Sequence, residues 1–385
     1  MKITRIKGHA LVVPLGADYW VANEMINQCG QIIIEVETDE GVVGLGTLHG
    51  RYIPLVLEML RELDGFLKGM DAMAHEAIWQ KVFDITTTSP GNAAPHNRPR
   101  LFASANRQAL LIALGGIDVA LWDIKGKATN MPVWRLLGGT RKEIHSYVTG
   151  GYYWLGHDHF YIAEEMAGYI EQGFTGVKMK VGGVDLATDV ARVKAVRDAI
   201  GPKSQLMVDA NCAYDWNQAV AAIRAFEPYD IFWFEEPMHW YDSVRSLGQL
   251  AQCTHVALAS GESEMHSWAC RDLIDLGGVR YMEFDASRSG GVTEWLRVAA
   301  YAKLKGVQMA THHDAHFQGH LAAAASNGYC VEVFPNPKRD PLWDTLFTHR
   351  AQLKNGKLVL GDEPGFGFGI DWKTVEKYRV GDRPT

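Results

Sequence analysis

The sequence predicts an α/β protein in which a (β/α)8 barrel follows an N-terminal α+β capping domain. Eight short β-rich apolar segments recur at intervals of about 23 to 31 residues, with helical patterns between them. Strands that alternate with helices form a parallel sheet, and eight such units close into a barrel. Several segments also end in a charged residue, at the rim where barrels carry their functional groups. The predicted strands are 144–150, 174–180, 205–210, 231–235, 256–260, 281–285, 306–311 and 329–333.

The composition is that of a soluble globular protein and argues against several kinds of partner. Apolar residues make up 47% of the 385 positions and charged residues 22%. The net charge of -7, without a basic block, predicts no nucleic-acid partner. Because no apolar run reaches the roughly 18 residues that span a bilayer, we expect no membrane partner. The first residues lack the apolar core of a signal peptide, so we expect a cytoplasmic protein.

Residues 1–142 are predicted to form the capping domain. A turn at 38–41 separates two short strand patterns and predicts a hairpin. The stretches 54–70 and 73–84 have helical patterns, and 104–128 has the dense apolar spacing of a buried helix. A charged stretch then precedes the regular strand and helix alternation, which places the domain boundary near residue 142.

Two capping stretches without periodic pattern are candidates for loops that control specificity. The first, 16–30, is apolar and aromatic and contains Trp20, and the second, 86–100, is rich in Thr, Pro, Asn and Ser. Loops of this length are often functional, and disorder is the common alternative. The barrel is assigned to 143–357, and the glycine-rich tail 358–385 is expected to pack back on the capping domain and complete it.

Three carboxylates predict a metal site. Asp209, Glu235 and Glu262 lie at the ends of three consecutive predicted strands. The ends of parallel strands meet at one rim, and oxygen ligands with room for water suit Mg²⁺. Each carboxylate alone is better explained as a helix cap or a surface group. Their equivalent positions on three strands favour Mg²⁺.

Two lysines and a histidine are candidates for proton transfer. Lys178 and Lys180 are two apart on one strand and therefore share a face. We expect burial and the nearby Lys178 to lower the pKa of Lys180 toward neutrality, which suits a base, although a structural lysine paired with a carboxylate is the alternative. His312 follows a later strand, where Asp285 is in reach to hold its tautomer. From the residues alone, His313 is an equally good candidate.

Taken together, these residues resemble those of the enolase superfamily, specifically its mandelate racemase subgroup, over nearly the whole chain. In this family, a polar residue precedes an apolar run on the helix that follows the histidine. His320 matches that polar residue, and the resulting alignment with the family selects His312 over His313. Glu332 matches the glutamate that bonds a substrate carboxylate oxygen. The other positions that match the family motif are Lys178, Lys180, Asp209, Asn211, Glu235, Glu262 and Asp285.

The resemblance implies Mg²⁺-dependent removal of the proton α to a carboxylate through an enediolate. A Lys or His base working with Mg²⁺ is already established for that superfamily. Lys178 would add positive charge at the substrate carboxylate, and Glu332, if protonated, would donate a hydrogen bond to it. The family also makes a homo-oligomer the expected state.

The same catalytic set serves more than one reaction. Lys180 and His312 would flank the α-carbon, as a racemase or epimerase needs, and also as a dehydratase needs if His312 protonates a departing β-hydroxyl. Polar groups in the loops favour dehydration of a sugar acid, an aldarate or an aldonate, to a 2-keto-3-deoxy acid. Two further hypotheses are a cycloisomerase and a non-catalytic sugar-acid binding protein, and the intact acid/base set argues against the binder. The predicted substrate-binding residues are Asn211, Trp20, Arg51 and His313.

Overall fold

In the computed structural model, residues 1–87 and 106–381 are described. Eight parallel strands form a closed ring, because the last of them pairs with the first as well as with its predecessor. An antiparallel sheet and several helices precede the ring in the chain. The predicted α/β class, a (β/α)8 barrel with an N-terminal α+β part, is therefore confirmed.

The N-terminal part is an antiparallel sheet covered by helices. Its strands lie in the order β3, β2, β1, and the three consecutive isoleucines of β2, residues 32–34, are fully buried. Both faces of this strand are therefore covered, as its β-branched residues favour. The elements are β1 (Ile3–Trp20), β2 (Met25–Thr38), β3 (Val43–His49), α1 (Ile53–Leu67), α2 (His75–Phe83), α3 (Arg107–Ala128) and α4 (Val133–Leu136).

The predicted loop 16–30 is wrong over most of its length. β1 continues to Trp20 and β2 begins at Met25, so that only 21–24 connect the two strands. The register between the strands shifts after Pro14, and such an irregularity interrupts the alternation on which strand prediction depends. The other predicted loop, 86–100, lies outside the described residues except for its first two positions.

Helix α3 packs very closely on β3. A Cβ atom on Gly44 would lie 2.1 Å from the carbonyl oxygen of Ala120, and one on Gly46 would lie 2.2 Å from that of Gly116. Glycine is therefore required at both strand positions for the helix to approach. This contact joins the sheet to the helix that faces the barrel.

The barrel follows from Glu143 onward. Each ring strand is followed by a helix or a loop. The short strand β5 (Tyr153–Trp154) lies outside the ring and pairs with the end of β1. The ring strands are β4 (Glu143–Gly150), β6 (Gly176–Lys180), β7 (Gln205–Asp209), β8 (Ile231–Glu235), β9 (Ala257–Ser260), β10 (Tyr281–Met282), β11 (Gln308–Thr311) and β12 (Gly328–Val333). The remaining elements are β5 (Tyr153–Trp154), α5 (His159–Glu171), α6 (Leu186–Ile200), α7 (Trp216–Phe226), α8 (Ser243–Leu250), α9 (Ser267–Asp275), α10 (Gly291–Leu304) and α11 (Ala315–Ala324).

One predicted strand is too long. The segment 281–285 is a strand only at Tyr281–Met282, because the carbonyl group of Asp285 accepts from the backbone N–H groups of Arg288 and Ser289 and the chain turns there. The turn leaves Asp285 at the rim of the barrel, outside the strand ladder.

The C-terminal tail contacts the N-terminal part. Strand β17 (Arg379–Val380) pairs with β1 at Ala10 and Leu11. The backbone N–H of Phe366 donates to Asp123 Oδ1 in α3 at 3.0 Å. The exact limits of the capping domain, barrel and tail stay predictions. The elements that follow β12 are α12 (Leu342–Thr345), β13 (Phe347–His349), β14 (Gln352–Lys354), β15 (Lys357–Val359), β16 (Gly369–Ile370), α13 (Trp372–Tyr378) and β17 (Arg379–Val380).

Across the ranges 1–87 and 106–381, no helix combines the length and the apolar character that crossing a bilayer requires.

Candidate active site

Three carboxylates converge at the carboxyl end of the barrel. Asp209 ends β7, Glu235 ends β8, and Glu262 follows β9 by two residues. The strand register sets Asp209 beside Glu235. All three side chains are buried, and one oxygen from each lies within 4.8 Å of the other two. The fold therefore brings the predicted trio together, because parallel strands end at a common rim.

The trio fits a divalent cation. Burial and the neighbouring Asp209 raise the pKa of Glu235 to about 7, since the interior disfavours so much negative charge. The Glu262 carboxylate is buried beside the other two, and its Oε2 atom faces the His312 ring. Three carboxylate oxygen donors with remaining positions for water are the ligands that Mg²⁺ prefers. The residues present thus fit Mg²⁺.

Lys178 and Lys180 enter the same cluster from β6, where they share a face. The Lys178 Nζ atom contacts the carboxylate of Glu235 and lies 2.9 Å from Glu332 Oε1. The Lys180 Nζ atom contacts the carboxylate of Asp209. Each lysine therefore balances carboxylates that the barrel buries.

The expected lowering of the Lys180 pKa is not found. Burial and Lys178 do act to lower this pKa, but the Asp209 carboxylate in contact with the ammonium group outweighs them and raises it. The prediction took into account burial and the neighbouring cation Lys178. It did not include the contact with Asp209, because the two residues are 29 apart in sequence.

His312 lies across the site from Lys180, just after β11. Its Nδ1 atom is 2.8 Å from Asp285 Oδ2, and its Nε2 atom is 2.9 Å from Glu262 Oε2. Burial acts to lower the pKa of His312, but the carboxylates of Glu262 and Glu332 and the bond to Asp285 raise it to about 10. The ring therefore has a carboxylate facing each nitrogen, and these carboxylates favour its protonated form.

Asp285 is fixed by its own hydrogen bonds. Its Oδ1 atom accepts from the backbone N–H of Ser287 at 2.7 Å, from the Ser287 hydroxyl at 2.6 Å and from Gln318 Nε2 at 2.9 Å. Gln318 also donates to the carbonyl oxygen of His312 at 2.5 Å. Asp285 and His312 are thus held by one amide side chain in α11.

His313, the alternative to His312, occupies a different place. Its ring stacks on Phe334 with centroids 4.3 Å apart, and its backbone N–H donates to Glu332 Oε2 at 3.0 Å. Burial and the charge of His312 lower its pKa well below the ordinary value. His313 is therefore a neutral wall of the pocket, and Asp285 contacts His312 instead.

Glu332, on β12, lies among cationic groups. Burial opposes ionisation, but Lys178 and His312 lower its pKa to about 2. The hydroxyl of Thr149 also donates to Glu332 Oε1. These cations favour the carboxylate form of Glu332, and donation from a protonated Glu332 to a substrate stays a prediction.

A cavity of about 440 Å³ opens over these groups, between the barrel rim and the hairpin of β1 and β2. Three of the four predicted substrate-binding residues line it, namely Asn211, Arg51 and His313. Trp20 is not among the described residues that line it. The Trp20 ring stacks on Tyr153 instead, with centroids 5.6 Å apart.

Several residues of the site were missed from the sequence. Glu236, next to Glu235, lines the cavity, and burial and Glu262 raise its pKa to about 8. Its position beside a strand-end carboxylate was a usable signal. Gln318 and Arg339 gave no such signal, because each reaches the site from a segment without a recognisable motif.

Comparisons with known families account for most of the chain. The family described as "Mandelate racemase / muconate lactonizing enzyme, N-terminal domain" matches residues 13–138. The family described as "Enolase C-terminal domain-like" matches residues 161–374.

Two relatives have named activities. The chain is 29% identical over 354 residues to an arabinonate dehydratase of Saccharolobus solfataricus, with 90% of each chain covered. It is also 29% identical over 399 aligned positions to a D-galactarolactone cycloisomerase of Agrobacterium fabrum, with 99% of this chain and 100% of that protein covered.

Two solved structures superpose over nearly the full length. One, from a marine actinobacterium, is a mandelate racemase/muconate lactonizing enzyme in complex with magnesium, with 35% identity, a TM-score of 0.84 and coverage of 98% of this chain and 99% of that one. The other is an L-talarate dehydratase from Polaromonas sp. JS666 complexed with Mg and L-glucarate, with 29% identity, a TM-score of 0.84 and coverage of 100% and 98%.

Proposed function

Because this chain belongs to the mandelate racemase/muconate lactonizing enzyme family of the enolase superfamily, we propose that it is a Mg²⁺-dependent dehydratase of an acid sugar. The family chemistry removes the proton α to a carboxylate and forms an enediolate. The further step, loss of a β-hydroxyl to give a 2-keto-3-deoxy acid, is the part that we add. Its main support is the position of His312, which Asp285 orients and which lines the same cavity as Lys180.

Mg²⁺ is the cofactor of this family site, and Asp209, Glu235 and Glu262 would hold it. When bound, Mg²⁺ stabilises the negative charge that develops on the substrate carboxylate. A cation at this position would also draw the charge of Asp209 away from Lys180. Lys180 then loses the interaction that raises its pKa and is better able to accept a proton.

The acid and the base act on neighbouring carbons of the substrate. Lys180 removes the proton from C2, and the electrons of that C–H bond pass to the carboxylate. When the C2–C3 double bond forms, the C3–O bond breaks and the oxygen leaves as water with the proton from His312 Nε2. The enol product then tautomerises to the 2-keto-3-deoxy acid.

His312 is well suited to supply that proton. Asp285, held by Ser287 and Gln318, fixes the ring through Nδ1, so that Nε2 faces the cavity side of the site. The proton on Nε2 is donated, and the resulting neutral imidazole remains oriented by Asp285. Positioned acids of this kind contribute roughly 10²- to 10⁴-fold to a rate.

The cavity supports a polyhydroxylated substrate. Its walls carry amide and cationic side chains, whereas an apolar acid would need an apolar wall. Such groups satisfy the hydroxyls of a sugar acid as hydrogen-bond partners. Amide side chains of this wall are Asn23, Asn27, Gln28, Gln31 and Asn211.

Cycloisomerisation is the second candidate, because the Agrobacterium fabrum cycloisomerase aligns with the whole chain. In that reaction the same base and acid would break a ring C–O bond, and the product would have the mass of the substrate. Racemisation or epimerisation would use Lys180 and His312 on opposite faces of the α-carbon without any C–O cleavage.

A screen of acid sugars with Mg²⁺ tests the proposal, with semicarbazide to detect 2-keto acids and mass spectrometry to record loss of water. A keto acid with loss of water is the expected result. A product of unchanged mass in which a ring C–O bond is broken would indicate cycloisomerisation instead of dehydration. Exchange of the C2 proton in D₂O without keto acid would indicate a racemase or epimerase, and no exchange in any bound acid would indicate a binding protein.

A further inference from the structure

The cavity is lined by both negative and positive side chains. The carboxylates that hold the metal lie at the floor, and three arginines line the described walls. Arg288 donates to Glu262 Oε1 at 2.6 Å, and Arg51 lies 3.4 Å from Glu24 with 42% of its side chain exposed. Arg339 differs, because no carboxylate of a described residue lies within 4.0 Å of its guanidinium.

Arg339 is held against the ring of an aromatic residue. It follows β12, and its Cζ atom lies 4.4 Å from the ring centroid of Tyr152. Its Nε atom is buried and has no hydrogen-bond partner among the residues described. The neighbouring Asp340 acts on Arg339 only from beyond 4.0 Å, and its Oδ1 atom accepts from Cys29 Sγ at 3.3 Å. The guanidinium is thus positioned by stacking, and no carboxylate of a described residue is in direct contact with it.

Tyr152 also relates Arg339 to the reacting carbon. The Lys180 Nζ atom lies 5.6 Å from the same ring centroid. Lys180 is the proposed base at C2, so the guanidinium is at most about 10 Å from the group that acts on C2. In an extended six-carbon chain, C6 lies about 5 Å beyond C2. A carboxylate at C6 can therefore reach Arg339 while C2 stays at Lys180.

We infer that Arg339 binds the distal carboxylate of the substrate, and that the substrate is an aldarate, a sugar acid with a carboxylate at each end. This inference rests on the proposed function, since it assumes that the first carboxylate and C2 occupy the metal end. A guanidinium presents a rigid fork of N–H donors that matches a carboxylate with two parallel bonds. A terminal hydroxyl of an aldonate would leave the partly buried Arg339 without a carboxylate in direct contact.

Matched pairs of acids test this assignment. Each 2,3,4,5-tetrahydroxyhexanedioic acid is compared with the aldonic acid of the same configuration, in which a CH₂OH group replaces the distal carboxylate. We expect the unaltered enzyme to favour the diacid in kcat/KM. In Arg339→Met, which keeps the length and stacking but lacks the fork, KM for the diacid should rise about 10- to 100-fold, the range for loss of a charged hydrogen bond.

Two further variants separate binding from structure. Lys338→Met, at the exposed neighbouring position, should leave both substrates unchanged. Arg339→Lys keeps the charge and should recover part of the diacid KM. For the aldonate, Arg339→Met should change KM less than about 3-fold, because that interaction is absent. An equal loss with both acids would show that Arg339 only supports the pocket, and would overturn the inference.

Binding is measured separately from turnover, by calorimetry with each acid and Mg²⁺. If diacids bind with dependence on Arg339 but no acid loses water, the proposed dehydration is wrong and the inference stands. If only aldonates lose water, dehydration stands and the inference is wrong. If no diacid in the set binds, the inference is also overturned.

Discussion

Lys178 lies fully buried between two carboxylates and shows how single residues maintain this site. Its ammonium group contacts Glu235 and Glu332, while Lys180 contacts Asp209. An unpaired buried ion costs several kcal/mol, so each of these charges depends on its partner. The same contacts set the proton affinities, because the carboxylates raise the pKa of both lysines and the lysines lower that of Glu332.

The variant His312→Asn tests the acid at the residue scale. The amide fills similar space but has no proton to give to a leaving hydroxyl, so dehydration should fall by about 10²- to 10⁴-fold. Exchange of the substrate C2 proton with D₂O should continue, because Lys180 is intact. Both are followed by NMR in one sample.

His313→Asn is the matched control for that variant. His313 lines the cavity but does not contact Asp285, and we expect changes mainly in KM. Normal turnover by His312→Asn together with an inactive His313→Asn would reverse the assignment of the acid.

At the scale of elements, the hairpin of β1 and β2 closes the cavity from above. Its connection, residues 21–24, reaches the barrel rim, where Asn23 Nδ2 donates to the carbonyl oxygen of Asn211 at 2.6 Å. The end of β1 is also fixed to the barrel by its pairing with β5. The strands are thus a support that brings a short connection to the substrate position.

The variant Asn23→Ala should weaken substrate binding. Loss of one neutral hydrogen bond corresponds to roughly 0.5–1.5 kcal/mol, and KM should rise about 2- to 10-fold with a smaller change in kcat. Asp18→Ala, at an exposed position of the same hairpin, is the control. Identical steady-state kinetics for the two variants would rule out a role for this connection in binding.

The contact between β3 and α3 is a second feature of this scale, and it concerns stability. Gly44→Ala places a Cβ atom 2.1 Å from the Ala120 carbonyl oxygen, which forces the helix away, and should destabilise the protein by about 1–3 kcal/mol. Gly65→Ala, in α1 with no atom within 4 Å of the added Cβ, should be neutral or stabilising by up to about 1 kcal/mol. Thermal unfolding distinguishes them, and equal Tm values would contradict the close contact.

At the scale of the whole molecule, metal binding and folding are linked. The three metal-site carboxylates are brought together only by the closed barrel, so the unfolded chain has no comparable site. A ligand that binds only the folded state stabilises it by about 2.7 kcal/mol at one hundred times its Kd. The Tm should therefore rise with Mg²⁺ concentration, and EDTA should reverse the rise and abolish activity.

Asp209→Asn should flatten that dependence, because it removes one charged ligand. Asp198→Asn removes a carboxylate that is 63% exposed and paired with Lys194, and should keep the full dependence on Mg²⁺. A Tm that does not respond to Mg²⁺ in the unaltered protein, or that responds equally in both variants, would exclude a metal at the trio.

Much of the fold and part of the site followed from local sequence pattern. The alternation of apolar strands and helices predicted the barrel, and Asp209, Glu235 and Glu262 were recognised because each ends a strand. Pattern failed where geometry was irregular, at 16–30 and at 281–285. Pattern alone also made His312 and His313 equally good candidates, and the family resemblance selected His312. In the structure, Asp285 contacts His312.

The sequence by itself determined the class of fold, the rim on which the charged groups lie and the oxygen ligands suited to Mg²⁺. These depend on periodicity and on strand ends, which are local properties of the chain. The tertiary structure decided which charged groups contact Lys180 and Glu332, how Gln318 supports Asp285 and how Arg339 stacks on Tyr152. The physical reason is that charge interactions depend on distance and burial, and both are set by segments far apart in sequence that meet only in the folded barrel.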